Sequence, residues 1–327
     1  MSKVSIIGAG NVGATAAMKI AKLNVVKEIV LLDIKEGVAE GKAMDINQCA
    51  MSDDFTTYVT GVTNDYSATA NSDVIVITSG MARKPGMTRE ELVGINSKIM
   101  DSVVRSCDQY SPDAAYVIVS NPVDTMTMQA LKILSKLHDG KQIMESSVIG
   151  MGNLLDSARF RYFIWEAIRK KDPNPVWCMN DIVNTWVIGG HGDATMVPNV
   201  DDVEIVTSYG ARLNMKVVFT DDEIADIVDK TVHGGSILTN LLGTSAWEGA
   251  GASIAKTVYN ILKGGQGAIP CSVYRRDLDC CIGTMTHLGK SFGHYGVVMM
   301  DVEDGELYEK VKSSAEAIKK VNSEIPE

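Results

Sequence analysis

The chain has 327 residues, 45% of them hydrophobic and 22% charged, the composition of a globular protein with material for two domains or one large one. Its 31 basic residues against 41 acidic ones leave a formal net charge of −10. That balance excludes a general binder of nucleic acid or anionic membrane, since both need a broad positive surface, but it leaves room for a small anion held by local charge.

In chain order, the first half alternates short β-branched runs with helix-like stretches. The runs lie at residues 4–7, 29–32, 74–77, 116–119 and 148–149, with helical periodicity at 14–23 and 40–49 among the intervening segments. Continuous apolar runs alternating with helices predict a parallel sheet covered on both faces. The second half changes character. A helix with aromatic content starts at Asn153 and ends near residue 170, before Pro173 and Pro175. Strand-like runs follow at 183–188 and 203–205. Thr220 and Glu223 read as a capping box, and a glycine-rich passage at 243–251 precedes another helix. Residues 306–322 form a last helix whose lysine-rich end suits the helix dipole. The expected fold class is α/β: a Rossmann-type doubly wound parallel sheet, then an α+β unit, dividing near residues 150–152.

The six cysteines, Cys49, Cys107, Cys178, Cys271, Cys280 and Cys281, form no C-x-x-C pair. Zinc and thioredoxin-like readings are therefore weak, no metal is expected, and the vicinal pair reads as two strand thiols. No charged and apolar leader precedes the first strand, and no run approaches the about 18 apolar residues of a membrane helix. The expectation is a cytoplasmic protein with reduced thiols.

The first run leads into Gly8-Ala-Gly10-Asn11-Val12-Gly13, followed by a helix. The glycines serve a tight turn, close approach of a pyrophosphate and close helix–strand packing, and the helix N-terminus offers free N–H groups to phosphate. Asp33, twenty residues beyond Gly13, closes the second run. A carboxylate there accepts from adenosine ribose hydroxyls and repels a 2′-phosphate, so NAD is expected over NADP. The domain expectation is residues 1–150 for NAD and residues 151–327 for catalysis and substrate.

Four further segments carry polar residues in apolar surroundings. Gly80-Met-Ala-Arg83-Lys84-Pro85-Gly86-Met-Thr-Arg89 concentrates positive charge in an acidic chain. Asn121 follows the run at 116–119, where it either starts a turn before Pro122 or faces ligand. Asp156 and Arg159, spaced i, i+3, share a helix face and form either a surface ion pair worth at most about 1 kcal/mol or part of a site. His191 stands between glycines, which open space rather than fill it, and its proton affinity suits acid–base work near neutrality. A carboxylate on its second nitrogen would fix the tautomer, with Asp156 or Asp193 as the candidate.

These motifs, in this order, resemble the lactate/malate dehydrogenase family from residue 4 to about residue 275, including Ile269-Pro-Cys-Ser-Val-Tyr274. The resemblance implies roles. His191 exchanges the proton, oriented by Asp156. Arg159 grips the substrate's C1 carboxylate, Arg89 polarises the carbonyl, and Asn121 contacts substrate oxygen or nicotinamide. Asn96 and Val119 join Gly8, Gly10, Asn11, Val12, Gly13, Asp33 and Asn121 at the cofactor, and Ser245 lines the substrate pocket. Arg83 stands where lactate enzymes carry a neutral glutamine, so it would pair with the second carboxylate of malate or oxaloacetate. The implied activity is reversible NAD-dependent oxidation of (S)-malate, in a homodimer or homotetramer. A lactate or broader 2-hydroxy-acid dehydrogenase is the alternative, and a catalytically silent NAD-binding module is a third reading. Residues 170–179 look like a surface insertion, Glu248 adds an acid in an unusual place, and the register after Tyr274 is unsettled. His287 and His294 are expected to be structural or surface residues.

Overall fold

The computed structural model describes residues 2–81, 88–139, 145–265, 267–291, 294–299 and 305–323. The first half runs β1 (Lys3–Ile7), α1 (Asn11–Lys22), β2 (Glu28–Asp33), α2 (Val38–Gln48), α3 (Ala50–Asp53), β3 (Tyr58–Thr63), β4 (Val74–Ile77), α4 (Arg89–Asp108), β5 (Ala115–Ile118), α5 (Val123–Leu137) and β6 (Val148–Gly150). The strands lie parallel in the order β3-β2-β1-β4-β5-β6. Successive side chains of a strand point to opposite faces. Accordingly Val4, Ile6, Leu31, Val74 and Val76 bury into one core layer, and Ile7, Leu32, Ile75 and Ile77 into the other. Strand order reverses between β1 and β4, so a crevice opens at their carboxyl ends, beside Gly8 and residues 78–80.

The second half contains α6 (Asn153–Lys171), β7 (Ile182–Val183), β8 (Val187–Gly189), β9 (Met196–Pro198), β10 (Glu204–Val206), β11 (Arg212–Asn214), α7 (Met215–Val218), α8 (Asp221–Val232), α9 (Gly234–Leu242), α10 (Glu248–Lys263), β12 (Ile269–Arg275), β13 (Cys280–Ser291), β14 (His294–Met299) and α11 (Glu306–Asn322). It does not form a separate sheet alone. β12 meets β6 antiparallel at Ser272 and Gly150, and β13, β8 and β9 extend the same sheet. A small sheet β11-β10-β7 stands apart. Among the described residues no helix is long and apolar enough to cross a membrane.

Three expectations change. The run at 183–188 is two strands, because Asn184 takes a left-handed backbone (φ 58°) and sends β7 to the small sheet and β8 to the large one. β3 escaped notice because Gly61 interrupts its apolar pattern. That glycine is forced by packing: a Cβ there would lie 2.2 Å from the Ala39 carbonyl oxygen of α2. The register after Tyr274 is regular, with Tyr274 opposite Cys281 and Ser272 opposite Gly283. Cys280 and Cys281 are free thiols of β13 that enter different core clusters. The insertion after α6 is largely exposed, with Trp177 tucked against the α6 core. Glu248 pairs with Lys19 at the surface. His287 is exposed on β13, and the side chain of His294 lies outside the described residues.

Candidate active site

The site is built from the ends of β8, β5 and α6. His191 sits in a tight loop after β8, where Gly190 N–H donates to the Thr195 carbonyl at 2.9 Å. Its ring faces the first turn of α6, and its Nδ1 lies 2.6 Å from Asp156 Oδ2. Asp156 is fully buried, while the His191 side chain keeps 16% of its surface. An ionised carboxylate only accepts, so Nδ1 carries the hydrogen in that bond and Nε2 is the nitrogen left for a substrate proton. The same carboxylate holds Arg159 from its other oxygen, Oδ1 to Nη1 at 3.0 Å. The i, i+3 pair is therefore a buried bridge between histidine and arginine and not a surface ion pair.

Burial pulls the His191 imidazole toward its neutral form. The Asp156 charge and hydrogen bond, helped by Asp124 and opposed by Arg159, more than offset that, and the pKa rises above its ordinary value of 6.5. Two glycine positions make room for these side chains. A Cβ at Gly152 would stand 2.7 Å from His191 Cγ, and one at Gly234 would stand 3.1 Å from Arg159 Cδ. Arg159 Nε is buried with no partner among the described residues, so the guanidinium has donor capacity left for a carboxylate.

His191, Arg159, Asn121 and Ser245 line one cavity of about 600 Å³. Thr239 and Ser236 of α9 add hydroxyls, and Val12, Val119, Met151 and Leu155 supply an apolar wall. Asn96 stands behind that wall, buried. Its side-chain oxygen accepts from Met81 N–H at 2.7 Å and its nitrogen donates to the Asn121 carbonyl at 2.7 Å. It thus ties Met81 to the Asn121 turn.

The glycines of the first turn have separable causes. Gly8 has φ 108°, and a Cβ there would meet Thr78 Oγ1 at 2.8 Å. A Cβ on Gly13 would lie 1.9 Å from the Gly8 carbonyl oxygen. A Cβ on Gly10 would meet nothing within 4 Å. The protein's own packing therefore demands Gly8 and Gly13, while Gly10 opens space at the uncapped N-terminus of α1. A pyrophosphate fits there, against the N–H groups of Asn11 and Val12. Asp33 receives Ala9 N–H on Oδ2 at 2.7 Å and Lys35 N–H on Oδ1 at 2.9 Å. Each oxygen keeps a lone pair for a ribose hydroxyl.

Comparison with known proteins gives this geometry its family. Residues 2–143 match the NAD binding domain of lactate/malate dehydrogenase, and residues 154–323 match its alpha/beta C-terminal domain. The chain belongs to the lactate/malate dehydrogenase family. A malate dehydrogenase of Bacteroides thetaiotaomicron is 44% identical over 333 residues, covering 100% of this chain and 99% of the relative. The solved malate dehydrogenase of Salinibacter ruber superposes with a TM-score of 0.84 at 34% identity, over 98% of this chain and 97% of that one. A lactate dehydrogenase of Cryptosporidium parvum, solved with lactic acid and nicotinamide adenine dinucleotide, has a TM-score of 0.82 at 28% identity, over 98% of this chain and 97% of that one. The family fold is thus shared across two substrate preferences, and its amino-terminal half is an NAD-binding domain.

In this chain, Arg83 lies outside the described residues, as does the side chain of Arg89, whose backbone opens α4. The helix start there is a capping box between Thr88 and Glu91, legible in Thr-Arg-Glu-Glu but overshadowed by the charges around it. Asp193 is exposed and lines the cavity, while the histidine ring is bonded to Asp156. Sequence reasoning missed Thr78, whose hydroxyl donates to the Gly8 carbonyl at 3.0 Å. It also missed Gly152 and the pair Gly234-Gly235. The doubled glycine at 234–235 was a usable signal, since it opens α9 directly after α8 ends at Val232.

Proposed function

We propose that this chain catalyses the reversible NAD-dependent oxidation of (S)-malate to oxaloacetate. The observation that carries the reading is the bridge from His191 through buried Asp156 to Arg159, in a cavity beside the nucleotide turn. NAD held at the Gly8–Gly13 turn and Asp33 would supply the hydride acceptor for the substrate's C2, and its reduced form the hydride for the reverse direction. Neutral His191 accepts the hydroxyl proton on Nε2 during oxidation, and protonated His191 returns it to the developing alkoxide during reduction. Arg159 pairs with the C1 carboxylate through its uncommitted N–H groups. Asn121 is assigned to substrate oxygen or nicotinamide, and Ser245 to the pocket wall. Arg89 polarises the carbonyl, and Arg83 pairs with the second carboxylate; both assignments rest on the sequence. An Arg83 buried opposite pyruvate would be left unpaired, at a cost on the order of several kcal/mol.

Steady-state rates with oxaloacetate and pyruvate, using NADH and NADPH, test the reading. Oxaloacetate with NADH is expected to be preferred, and equal or higher efficiency on pyruvate overturns it. Arg83→Gln is expected to move the preference toward pyruvate; an unchanged ratio removes Arg83 as the selector.

We further propose self-association into a homodimer or homotetramer, supported by Leu241, 77% exposed, and Leu242, 53% exposed, at the end of α9. A single monomeric species in sedimentation at micromolar concentration would contradict this. The division between the halves is proposed at residues 150–152. A cytoplasmic location is proposed as well, supported by six free cysteines.

A further inference from the structure

A catalytic imidazole needs its ring aimed and its backbone held. Asp156 aims the ring of His191, but the ring hangs from a loop whose other bonds run to itself and to the Ser314 hydroxyl of α11, which accepts from Gly190 N–H at 2.9 Å and donates to the Thr195 carbonyl at 2.8 Å. Gly190 N–H reaches Thr195 O at 2.9 Å, and Met196 N–H reaches Gly192 O at 3.0 Å. Those bonds give the loop a shape without placing it against the cofactor half. Asp124 supplies the missing link. Its Oδ2 accepts the main-chain N–H of His191 at 2.8 Å, and its Oδ1 accepts the Ser272 hydroxyl at 2.7 Å. Asp124 lies in the first turn of α5, three residues after Asn121, and is 6% exposed. One carboxylate therefore joins the helix that opens beside Asn121, strand β12 and the backbone of His191.

Core packing alone does not explain this residue, because an apolar side chain of similar size would fill the space without a desolvation cost. Burial pushes the Asp124 carboxyl upward, and the bonds from Ser272 and His191 hold it back. The titratable groups around it are His191 and Asp156, with the Cys280 and Cys281 thiols of β13 on the far side.

We propose that Asp124 is a positioning residue for the reaction: its carboxylate fixes the main chain of His191 to the Asn121 segment, so that imidazole and nicotinamide side of the cavity keep one spacing. This rests on the acid–base reading of His191 given above. Asp124 does not line the cavity of about 600 Å³, and its two oxygens are engaged by His191 and Ser272, so its loss is expected to affect the chemical step and spare binding.

The experiment compares kcat and KM for oxaloacetate, and Kd for NADH, in the full chain and three variants. Asp124→Ala is expected to lower kcat about 10- to 100-fold, as misplacement of a reacting group by up to about 1 Å does, while KM and the NADH Kd move less than about threefold. Asp124→Asn is expected to rescue kcat to within about threefold, because its amide oxygen still accepts from His191 N–H and its amide nitrogen can donate to Ser272. Ser272→Ala removes one anchor and leaves residue 124 intact; it is expected to lower kcat about three- to tenfold in the same pattern, and it decides the matter if Asp124→Ala does not fold. The proposal is overturned if kcat of Asp124→Ala stays within twofold of the parent. It is also overturned if Asp124→Asn is as impaired as Asp124→Ala, or if the loss falls equally on KM and NADH binding. Where Asp124→Ala does not fold, a Ser272→Ala variant with parental kcat overturns it. Absence of oxaloacetate turnover in the parent chain would instead sink the proposed function itself.

Discussion

His191 concentrates opposing electrostatics in one side chain. Burial alone would strip its proton, but a fully buried carboxylate at 2.6 Å restores it and carries the pKa above 6.5. The sign of the pH dependence follows. On the proposed acid–base role, oxaloacetate reduction uses protonated His191, so its kcat/KM is expected to be high at low pH and to fall as pH rises through the raised pKa. Malate oxidation uses the neutral ring and rises over the same interval. Asp156→Asn removes the main raising influence, so the reduction limb is expected to move to lower pH, with kcat down by about 100-fold or more; pH profiles of both directions check this. An unmoved limb would mean that Asp156 does not set the proton affinity. His191→Ala is expected to cost about 10²- to 10⁴-fold in kcat, and a loss of only a few fold would remove the acid–base role.

At the scale of elements, close approach explains why certain turns take glycine, and it separates structural glycines from ligand-facing ones. Gly13→Ala drives a Cβ into the Gly8 carbonyl at 1.9 Å, so α1 must shift from β1, and a stability loss of about 1–3 kcal/mol is expected. Gly10→Ala meets no protein atom within 4 Å. It is expected to leave the melting temperature near that of the parent while weakening NADH binding at least about tenfold, since the new methyl occupies the approach of the pyrophosphate. Thermal melts and NADH titrations of the two variants tell these causes apart. Gly152→Ala tests the other half of the site, because its Cβ would press on His191 Cγ at 2.7 Å. Its expected signature is a fall in kcat with NADH affinity retained. Equal loss of NADH binding would show that the α6 N-terminus supports the cofactor half as well.

For the whole molecule, one sheet runs from the nucleotide strands through β6 into β12 and β13, so ligand bound on one half reports on a shared core. NADH at 100 times its Kd is expected to add about 2.7 kcal/mol to folding stability. NADPH at the same concentration is expected to add much less, because Asp33 meets its 2′-phosphate with like charge. Melting temperatures with each nucleotide measure this, and equal shifts would remove Asp33 as the discriminator.

Patterns of local origin were legible in the amino-acid order alone. The apolar runs at 4–7 and 74–77 became central strands because continuous β-branched sequence can be satisfied only by burial on both faces. Thr220 and Glu223 formed their capping box because its partners are three residues apart. The glycine turn and Asp33 were recognisable because spacing along the chain fixes their geometry. Contacts between distant segments were not legible. Whether Asp156 or Asp193 aims His191 depends on where α6 lands against the loop after β8. The breaks at Asn184 and Gly61 answer to sheet choice and to the Ala39 carbonyl, neither of which is encoded nearby. Asp124, two residues after Pro122, acquires its partners only where β12 and the His191 loop close on its two oxygens. The sequence thus determined the central parallel strands, the nucleotide turn and the roster of reactive side chains, because these follow from neighbours along the chain. Tertiary structure alone decided which carboxylate serves which partner, because that depends on packing between segments far apart in sequence.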